Sequence, residues 1–252
     1  MPDDRTVRGP RPLAGRVALV TGAGRRVGRA IALGLGARGL KVAVHYNASA
    51  GGADETVRQI VSSGSEAWSV GGDLTQPTEP GRLIDSVVRH FGALDVLVNS
   101  AAIMVRTPVD EATPEVWDHI FALNLRAPFF CAQAAARAMR DRGGVIINIA
   151  DLAGMEVWPG YIPHGISKAG VIHMTRALAR TLAPTIRVNA VSPGAVLLPD
   201  DWSAEDAERL SRTTPLKRLG SPDDVVQAVL YLLEAEYVTG EVLVVDGGRN
   251  VR

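Results

Sequence analysis

Short runs of β-branched and aliphatic residues alternate with longer amphipathic stretches along nearly the whole chain. Apolar runs without a polar face suit strands buried on both sides, and their alternation with helical segments predicts βαβ units and a parallel sheet covered on both faces. Strands are predicted at Val17–Val20, Lys41–Tyr46, Glu66–Val70, Val96–Asn99, Val145–Ile149, Ile186–Val191 and Val242–Val245. Helices are predicted near Val27–Arg38, Ala53–Ser63, Pro80–His90, Pro114–Arg140, Pro163–Leu182 and Asp223–Leu233. Thr113 before Pro114 and Ser221 before Pro222 each offer an N-cap hydroxyl followed by a proline whose fixed φ suits a first helical turn. No repeat, low-complexity block or linker divides the chain. The expectation is one α/β domain over residues 15–252, a doubly wound seven-stranded parallel sheet with helices on both faces, preceded by a loosely packed arm at residues 1–14. The segment 194–221 is too long for a simple crossover and carries Trp202 and a charged helical stretch, Ala204–Arg212. It is expected to act as a substrate loop.

Composition narrows the function classes. With 252 residues, 46% of them apolar, the chain can bury a single large core. Its 27 Lys and Arg balance 27 Asp and Glu, so no global basic field would condense on phosphate backbones or anionic lipid. A small-molecule substrate is expected rather than nucleic acid or a membrane. No run approaches the roughly 18 apolar residues of a spanning helix. The N-terminal stretch MPDDRTVRGPRPLAG is charged and proline-rich rather than a signal peptide, so the cytoplasm is the expected location. The single Cys131 cannot form an internal disulfide and, beside Phe129, Phe130 and Ala132, reads as a small buried hydrophobe. No metal site is assigned.

The first strand runs into Thr21-Gly22-Ala23-Gly24-Arg25-Arg26-Val27-Gly28 and then a helix. Glycines at such a turn let the backbone approach a pyrophosphate, and the helix N-terminus supplies free N–H groups and partial positive charge. The spacing Gly-x-Gly-x3-Gly is one residue longer than the simplest dinucleotide fingerprint. NAD binders usually carry an acid at the end of the second strand, where it takes the ribose hydroxyls. Here that strand ends in His45-Tyr46-Asn47-Ala48-Ser49, with no acid before Asp54. Arg25 and Arg26 in the turn, together with hydroxyl groups, replace the carboxylate that would repel a 2′-phosphate, which points to NADP(H).

From about Arg16 to its C-terminus the chain resembles the short-chain dehydrogenase/reductase superfamily, which implies a Rossmann-like fold and a nicotinamide cofactor. Asp73-Leu74 after the third strand resembles the family's adenine-contacting pair. Asn99-Ser100-Ala101-Ala102 is similar to its Asn-Asn-Ala-Gly, Asn124 matches the mid-helix catalytic asparagine, and Ser192-Pro193-Gly194 matches the Pro-Gly turn beside the nicotinamide. Asp246-Gly247-Gly248 closes the chain as the family's does. Within the superfamily the chain most resembles the pteridine reductases and the bacterial dihydrofolate and dihydromonapterin reductases. That likeness rests on Arg26 where most members have glycine, His45-Tyr46 with Ser49, Ala127-Pro128-Phe129, Leu197-Leu198-Pro199 and Asp246-Gly247-Gly248-Arg249.

The superfamily's reaction centre is a Ser, a Tyr thirteen residues on, and a Lys four beyond. Counting back from Lys168, these positions hold His164 and Asp151. Asp for Ser is what the pteridine reductases show. His for Tyr departs from both patterns. The job of the site is to give a proton to the heteroatom of a C=X bond while nicotinamide gives hydride to the carbon. Tyrosine, near 10 in isolation, needs a neighbouring Lys⁺ to do this near neutrality, whereas an unperturbed histidine titrates near 6.5. Three readings of His164 stay open: proton donor or relay, a pocket residue with Asp151 as the acid, or the mark of a relative that binds without turnover. Lys168, one turn from His164 on the same helix face, is the expected ribose anchor. Tyr161 is a further candidate donor, although its counterpart in the pteridine reductases is a pocket residue.

Met104 stands where the pteridine reductases stack an aromatic ring on the pterin, and methionine covers a flat ring without quadrupole stacking. Met104, Tyr161 and Trp202 are the expected pocket residues, with Met155 and Trp158 nearby, and together they favour a bulky, partly apolar substrate. Because an imine nitrogen is far more basic than a carbonyl oxygen, Asp151 beside His164 suits reduction of a C=N bond, in a cyclic imine or pteridine-like substrate. The alternatives are a ketone or alcohol oxidoreductase of the same superfamily and, from another class, an NADP(H)-binding sensor or scaffold. The apolar helices holding Phe129 to Met139 and Val171 to Leu182 resemble the pair that packs across the family's two-fold interface, which implies a homotetramer or, next, a dimer.

Overall fold

A computed structural model describes residues 12–198 and 203–251. Seven strands, β1 (Val17–Val20), β2 (Lys41–Tyr46), β3 (Ala67–Gly71), β4 (Val96–Asn99), β5 (Gly144–Ile149), β6 (Ile186–Pro193) and β7 (Val242–Val245), form one parallel sheet. Their order is β3-β2-β1-β4-β5-β6-β7. The third strand sits one residue later than its apolar run suggests, because Glu66 joins the ladder through its carbonyl, which accepts from Val42 N–H at 2.9 Å. β6 runs two residues past Val191 because Ser192 and Pro193 pair with Val244 and Val245.

The strands read as continuous apolar runs because the sheet is sandwiched. Ala18 and Val20 point into one core layer, with Ile31, Leu35 and Val229 from α1 (Arg26–Ala37) and α8 (Pro222–Glu234). Val17 and Leu19 point into the other, with Leu83, Ile84 and Met139 from α3 (Glu79–Phe91) and α5 (Ala127–Met139). The remaining helices are α2 (Ala50–Ser62), α4 (Pro114–Phe121), α6 (Ile162–Leu182) and α7 (Ala204–Thr213). Both expected helix starts have the polar partners their sequences offer. Thr113 Oγ1 accepts from Val116 N–H, and Ser221 donates its N–H to Asp224 Oδ2 at 2.7 Å.

Two expectations change. The single helix over 114–140 is three pieces, because a π-turn at Ala122–Arg126 separates α4 from α5. One wide turn of this kind re-aims a side chain without ending the helix, and the side chain re-aimed here is Asn124. Residues 12–14 of the expected arm are not loose: Leu13 is buried in the first core layer, and Gly15 N–H donates to Gly39 O at 2.8 Å. The rest of the arm, with Pro199 and Trp202, lies outside the described residues. Among the described residues no helix is long and apolar enough to cross a membrane.

In this strand order the chain reverses direction between β1 and β4, which are neighbours in the sheet. A crevice opens at the carboxyl ends of strands at such a point and is the usual ligand site of open α/β sheets.

Candidate active site

The crevice is floored by the turn between β1 and α1. Gly22 lies at φ +67°, and a Cβ there would stand 2.9 Å from Ala101 Cα. Gly28 is closed off more firmly, since its Cβ would meet the Gly22 carbonyl oxygen at 2.4 Å. Thr21, which the motif reading passed over, ties this turn to the next strand end by accepting from Ser100 N–H at 2.9 Å and Ala101 N–H at 3.0 Å. Helix α1 opens with no side-chain cap and no acid in its first turn, with Val27 just inside it, so the positive end of its dipole is not offset by a carboxylate of its own. That fits the pyrophosphate of a dinucleotide.

The end of β2 fits a phosphorylated ribose. Asn47 and Ser49 follow the strand, and the nearest acid, Asp54, is engaged by the Ser69 hydroxyl at 2.9 Å. Ser49 lies directly against Gly24, whose Cβ would come within 2.4 Å of its Oγ. Arg25 is exposed beside it. Arg26 behaves differently from the expectation that it faces the 2′-phosphate. It adopts φ +52°, a left-handed conformation that costs a side chain about 1–2 kcal/mol and that glycine adopts freely. Its guanidinium donates to Leu197 O at 2.9 Å and Leu198 O at 3.1 Å, joining the glycine turn to the segment after β6.

His45 was expected among the cofactor contacts and lies beneath the turn instead. It is buried, accepts from Gly22 N–H through Nδ1 at 3.2 Å and donates from Nε2 to Gly72 O at 3.0 Å. Burial pushes its pKa from 6.5 down to about 4, so the neutral ring shapes the turn. Tyr46 packs over Gly71. Asp73 binds the Thr75 N–H at 3.0 Å and the Thr75 hydroxyl at 2.7 Å, which hold its carboxyl below the usual carboxylate range, and Leu74 is core. The Asn99 side chain is likewise turned inward, donating to Asn148 Oδ1 at 2.9 Å and Pro128 O at 3.3 Å. Asn148 passes the chain on to Thr175 at 2.9 Å. A polar residue in each of two adjacent, otherwise apolar strands is the sequence signal for that pair.

Asn124, Asp151, His164 and Lys168 do converge. From the π-turn, Asn124 accepts from Ile103 N–H at 2.9 Å and uses its amide group toward Ile103 O at 2.9 Å and Ser167 Oγ at 3.2 Å. His164, from the first turns of α6, is 2% exposed. Its Nδ1 lies 3.1 Å from Ile103 O and 3.3 Å from Asn124 Nδ2. Assigning the two Asn124 amide hydrogens to its shorter contacts, Ile103 O and Ser167 Oγ, gives Nδ1 the proton that Ile103 O accepts. Nε2 is then the transferable position of the ring; it is buried and, among the described residues, has no hydrogen-bond partner. It faces Asp151 Oδ2 at 3.8 Å. Asp151 follows β5 and is fixed through its other oxygen, which accepts from Ala153 N–H at 2.8 Å. Lys168 Nζ donates to Ile149 O at 2.9 Å; burial pushes its pKa below the usual lysine range, and Asp151 pulls it back up. Pro193 ends β6 and Gly194 follows it, so close to Asp246 that a Cβ would stand 2.8 Å from the Asp246 Cβ.

The outer wall pairs two segments, with Thr107 N–H donating to Gly160 O at 2.7 Å. One carries Met104, 43% exposed; the other carries Met155, Val157 and the edge-to-face pair Trp158 and Tyr161. Cys131 is fully buried away from this wall among α5 core residues, and burial raises its thiol to about 12, which keeps it unreactive.

A glycine turn at a sheet switch point beside a convergent Asn, Asp, His and Lys defines a nicotinamide-dependent oxidoreductase. Residues 22–250 match the family described as enoyl-(acyl carrier protein) reductase. The chain is 39% identical over 241 residues to a 3-oxoacyl-(acyl-carrier-protein) reductase of Synechocystis sp., covering 94% of this chain and 97% of that one. It is 37% identical over 253 residues to a versicolorin reductase of Emericella nidulans, covering 94% and 96%. A crystal structure from Sinorhizobium meliloti, provisionally described as a short-chain alcohol dehydrogenase, superposes with a TM-score of 0.91 at 34% identity, covering 96% of this chain and 99% of that one. The chain belongs to the short-chain dehydrogenase/reductase superfamily, and it is a reductase of that class. The relatives' names favour a carbonyl substrate, the alternative of the sequence reading, over a C=N bond.

Proposed function

We propose that the protein is an NADP(H)-dependent ketone reductase in which His164 takes the acid role that tyrosine plays elsewhere in the superfamily. The observation that carries this reading is the buried Nε2 of His164, which has no hydrogen-bond partner among the described residues and faces Asp151. The residues suited to hold the cofactor are the N-terminal turn of α1 for its pyrophosphate, and Arg25, Asn47 and Ser49 for its 2′-phosphate. Asp73 and Leu74 serve the adenine, Ser100 and Ala101 the β4 side, and Lys168 with Pro193 and Gly194 the nicotinamide ribose. When bound, the cofactor supplies hydride to the carbonyl carbon.

The chain's own residues manage the proton. Ile103 O and Asn124 fix the imidazole so that Nε2 is the transferring atom. Asp151 faces the transferring nitrogen, and the buried Lys168 ammonium stabilises negative charge that develops on the carbonyl oxygen. Exposed Met104, Met155 and Val157 suit a bulky apolar ketone, in line with relatives named for versicolorin and 3-oxoacyl groups. Asp151 also supports a second reading, reduction of a C=N bond, because its carboxylate could balance an iminium.

A groove of about 1300 Å³ runs along α4, α5 and α6, lined by Phe121, Leu125, Phe129, Met174 and Leu178. This apolar face supports self-association of these helices, as a homotetramer or a dimer. The cytoplasm is the compartment in which a chain using NADPH and a lone thiol would work.

NADPH consumption against aromatic and acyl ketones, cyclic imines and dihydropterins tests the reading. Ketones should be the preferred substrates. Preference for imines would move the assignment to the second reading, and tight NADPH binding without consumption on any of them would make the protein a sensor.

A further inference from the structure

We infer that Asp151 is the proton-feeding residue for His164, so that the route from solvent to the reacting oxygen runs through this carboxylate rather than through Asn124 and Lys168. This deepens the ketone reductase reading and rests on it.

The argument is one of committed protons. His164 is closed on its Nδ1 side, where Ile103 O accepts its proton at 3.1 Å and the Asn124 amide hydrogens are spent on Ile103 O and Ser167. Asn124 has no hydrogen left to pass on. Ser167 cannot help, because its hydroxyl donates to His164 O at 2.6 Å. Lys168 spends one ammonium hydrogen on Ile149 O at 2.9 Å and is buried, so it is no direct opening to solvent. Every proton that reaches the imidazole for transfer must therefore arrive at Nε2. The group facing Nε2 is Asp151 Oδ2, and the Asp151 side chain is 25% exposed while that of His164 is 3% exposed. One oxygen of Asp151 is pinned by Ala153 N–H, and the other is left to shuttle.

The charged and titratable groups around His164 are few. Asp151 comes from the turn after β5, Lys168 lies on the same helix, and Tyr161 precedes that helix. Arg126, on the π-turn packed against α6, is directed away to Thr75 O at 2.6 Å. Ile103, Asn124 and Ser167 carry no charge.

The step balances with one solvent proton per carbonyl reduced. As hydride adds to carbon, the Nε2–H bond breaks toward the carbonyl oxygen and its electron pair stays on nitrogen. The Asp151 carboxylate then takes a proton from solvent, and that new O–H bond breaks toward Nε2, restoring the imidazolium and the carboxylate. The 3.8 Å gap between Oδ2 and Nε2 is wider than a direct hydrogen bond. A small side-chain movement or one bridging water closes it.

Asp151→Asn tests this, because its amide oxygen can still accept from Ala153 N–H while the transferable proton is gone. Asp151→Ser provides a second variant that keeps a cap acceptor. Both should lower kcat on a ketone by about 10²- to 10⁴-fold with KM little changed. Formate, a small carboxylic acid able to enter the cleft, should restore part of the rate to both. On the protein without substrate, heteronuclear NMR of imidazole-labelled protein should show that exchange of a proton on and off His164 Nε2 is much slower in the variants. A purely structural Asp151 would give no formate rescue. Wild-type kcat and unchanged Nε2 exchange in Asp151→Asn would overturn the inference. If the wild type reduced no ketone, the functional reading would fail, and Nε2 exchange would still decide the proton route.

Discussion

His45 gives the sharpest quantitative test of how the cofactor turn is built. Its ring is buried under Gly22, neutral, with one nitrogen accepting from Gly22 N–H and the other donating to Gly72 O. Its pKa falls from 6.5 to about 4 in the folded protein, first because burial penalises the charged ring. A group whose folded value lies below its unfolded value takes up a proton on unfolding. Its stabilisation is therefore complete above about pH 6.5 and is lost as the pH falls toward about 4. The gap corresponds to about 3 kcal/mol, since each pKa unit is worth about 1.4 kcal/mol. His45→Asn places an amide oxygen near Nδ1, keeping the acceptor for Gly22 and leaving only a carbonyl, Gly72 O, without its partner. It should cost about 1–3 kcal/mol near neutral pH. Urea unfolding of both proteins at several pH values between about 4 and 7.5 isolates the contribution, because all other titrating groups are common to the two. The wild type should lose about 3 kcal/mol more than the variant across this range. Parallel stability curves would refute a neutral, buried His45.

NADPH should bind more tightly than NADH by about ten- to a hundredfold, the value of one or two charge-assisted hydrogen bonds to the 2′-phosphate. Fluorescence titration checks it, and Arg25→Ala should remove most of the difference while Arg26→Ala, whose side chain is engaged by Leu197 and Leu198, should remove little. Lys168→Ala should abolish turnover and weaken NADPH binding together, measured by the same titration and by rate. Wild-type behaviour in both would mean that α6 is misassigned.

How far the sequence carried depended on whether a feature is local. The seven strands were legible because a sheet covered on both faces demands apolar runs such as Val17–Val20 and Val242–Val245. The glycine turn was legible because Gly22 and Gly28 are places where a Cβ would collide with backbone. What stayed hidden was the direction of side chains over long sequence distances. Nothing local shows that Arg26 reaches carbonyls more than 170 positions later, at Leu197 and Leu198. Nor does the apolar period of residues 114–140 reveal the π-turn that aims Asn124, because one widened turn shifts the helix face only slightly. His45 and Asn99 look like ligand contacts as motif members, yet each is buried and spends its polar atoms on neighbouring backbone or side chain. The convergence of Asp151, His164 and Lys168 was implied by the resemblance to the superfamily's reaction centre, whereas the tautomer of His164 needed Ile103 and Asn124 in place.

The central claim is that His164 Nε2 donates the proton in NADPH-dependent ketone reduction. Its most direct test is the rate of NADPH consumption with one reducible ketone by wild type and His164→Phe, alongside NADPH affinity for each. The account predicts a loss of about 10²- to 10⁴-fold in kcat/KM with cofactor affinity unchanged, since the proton donor is removed and the cofactor contacts remain. A His164→Phe protein that reduces the ketone at the wild-type rate would contradict it.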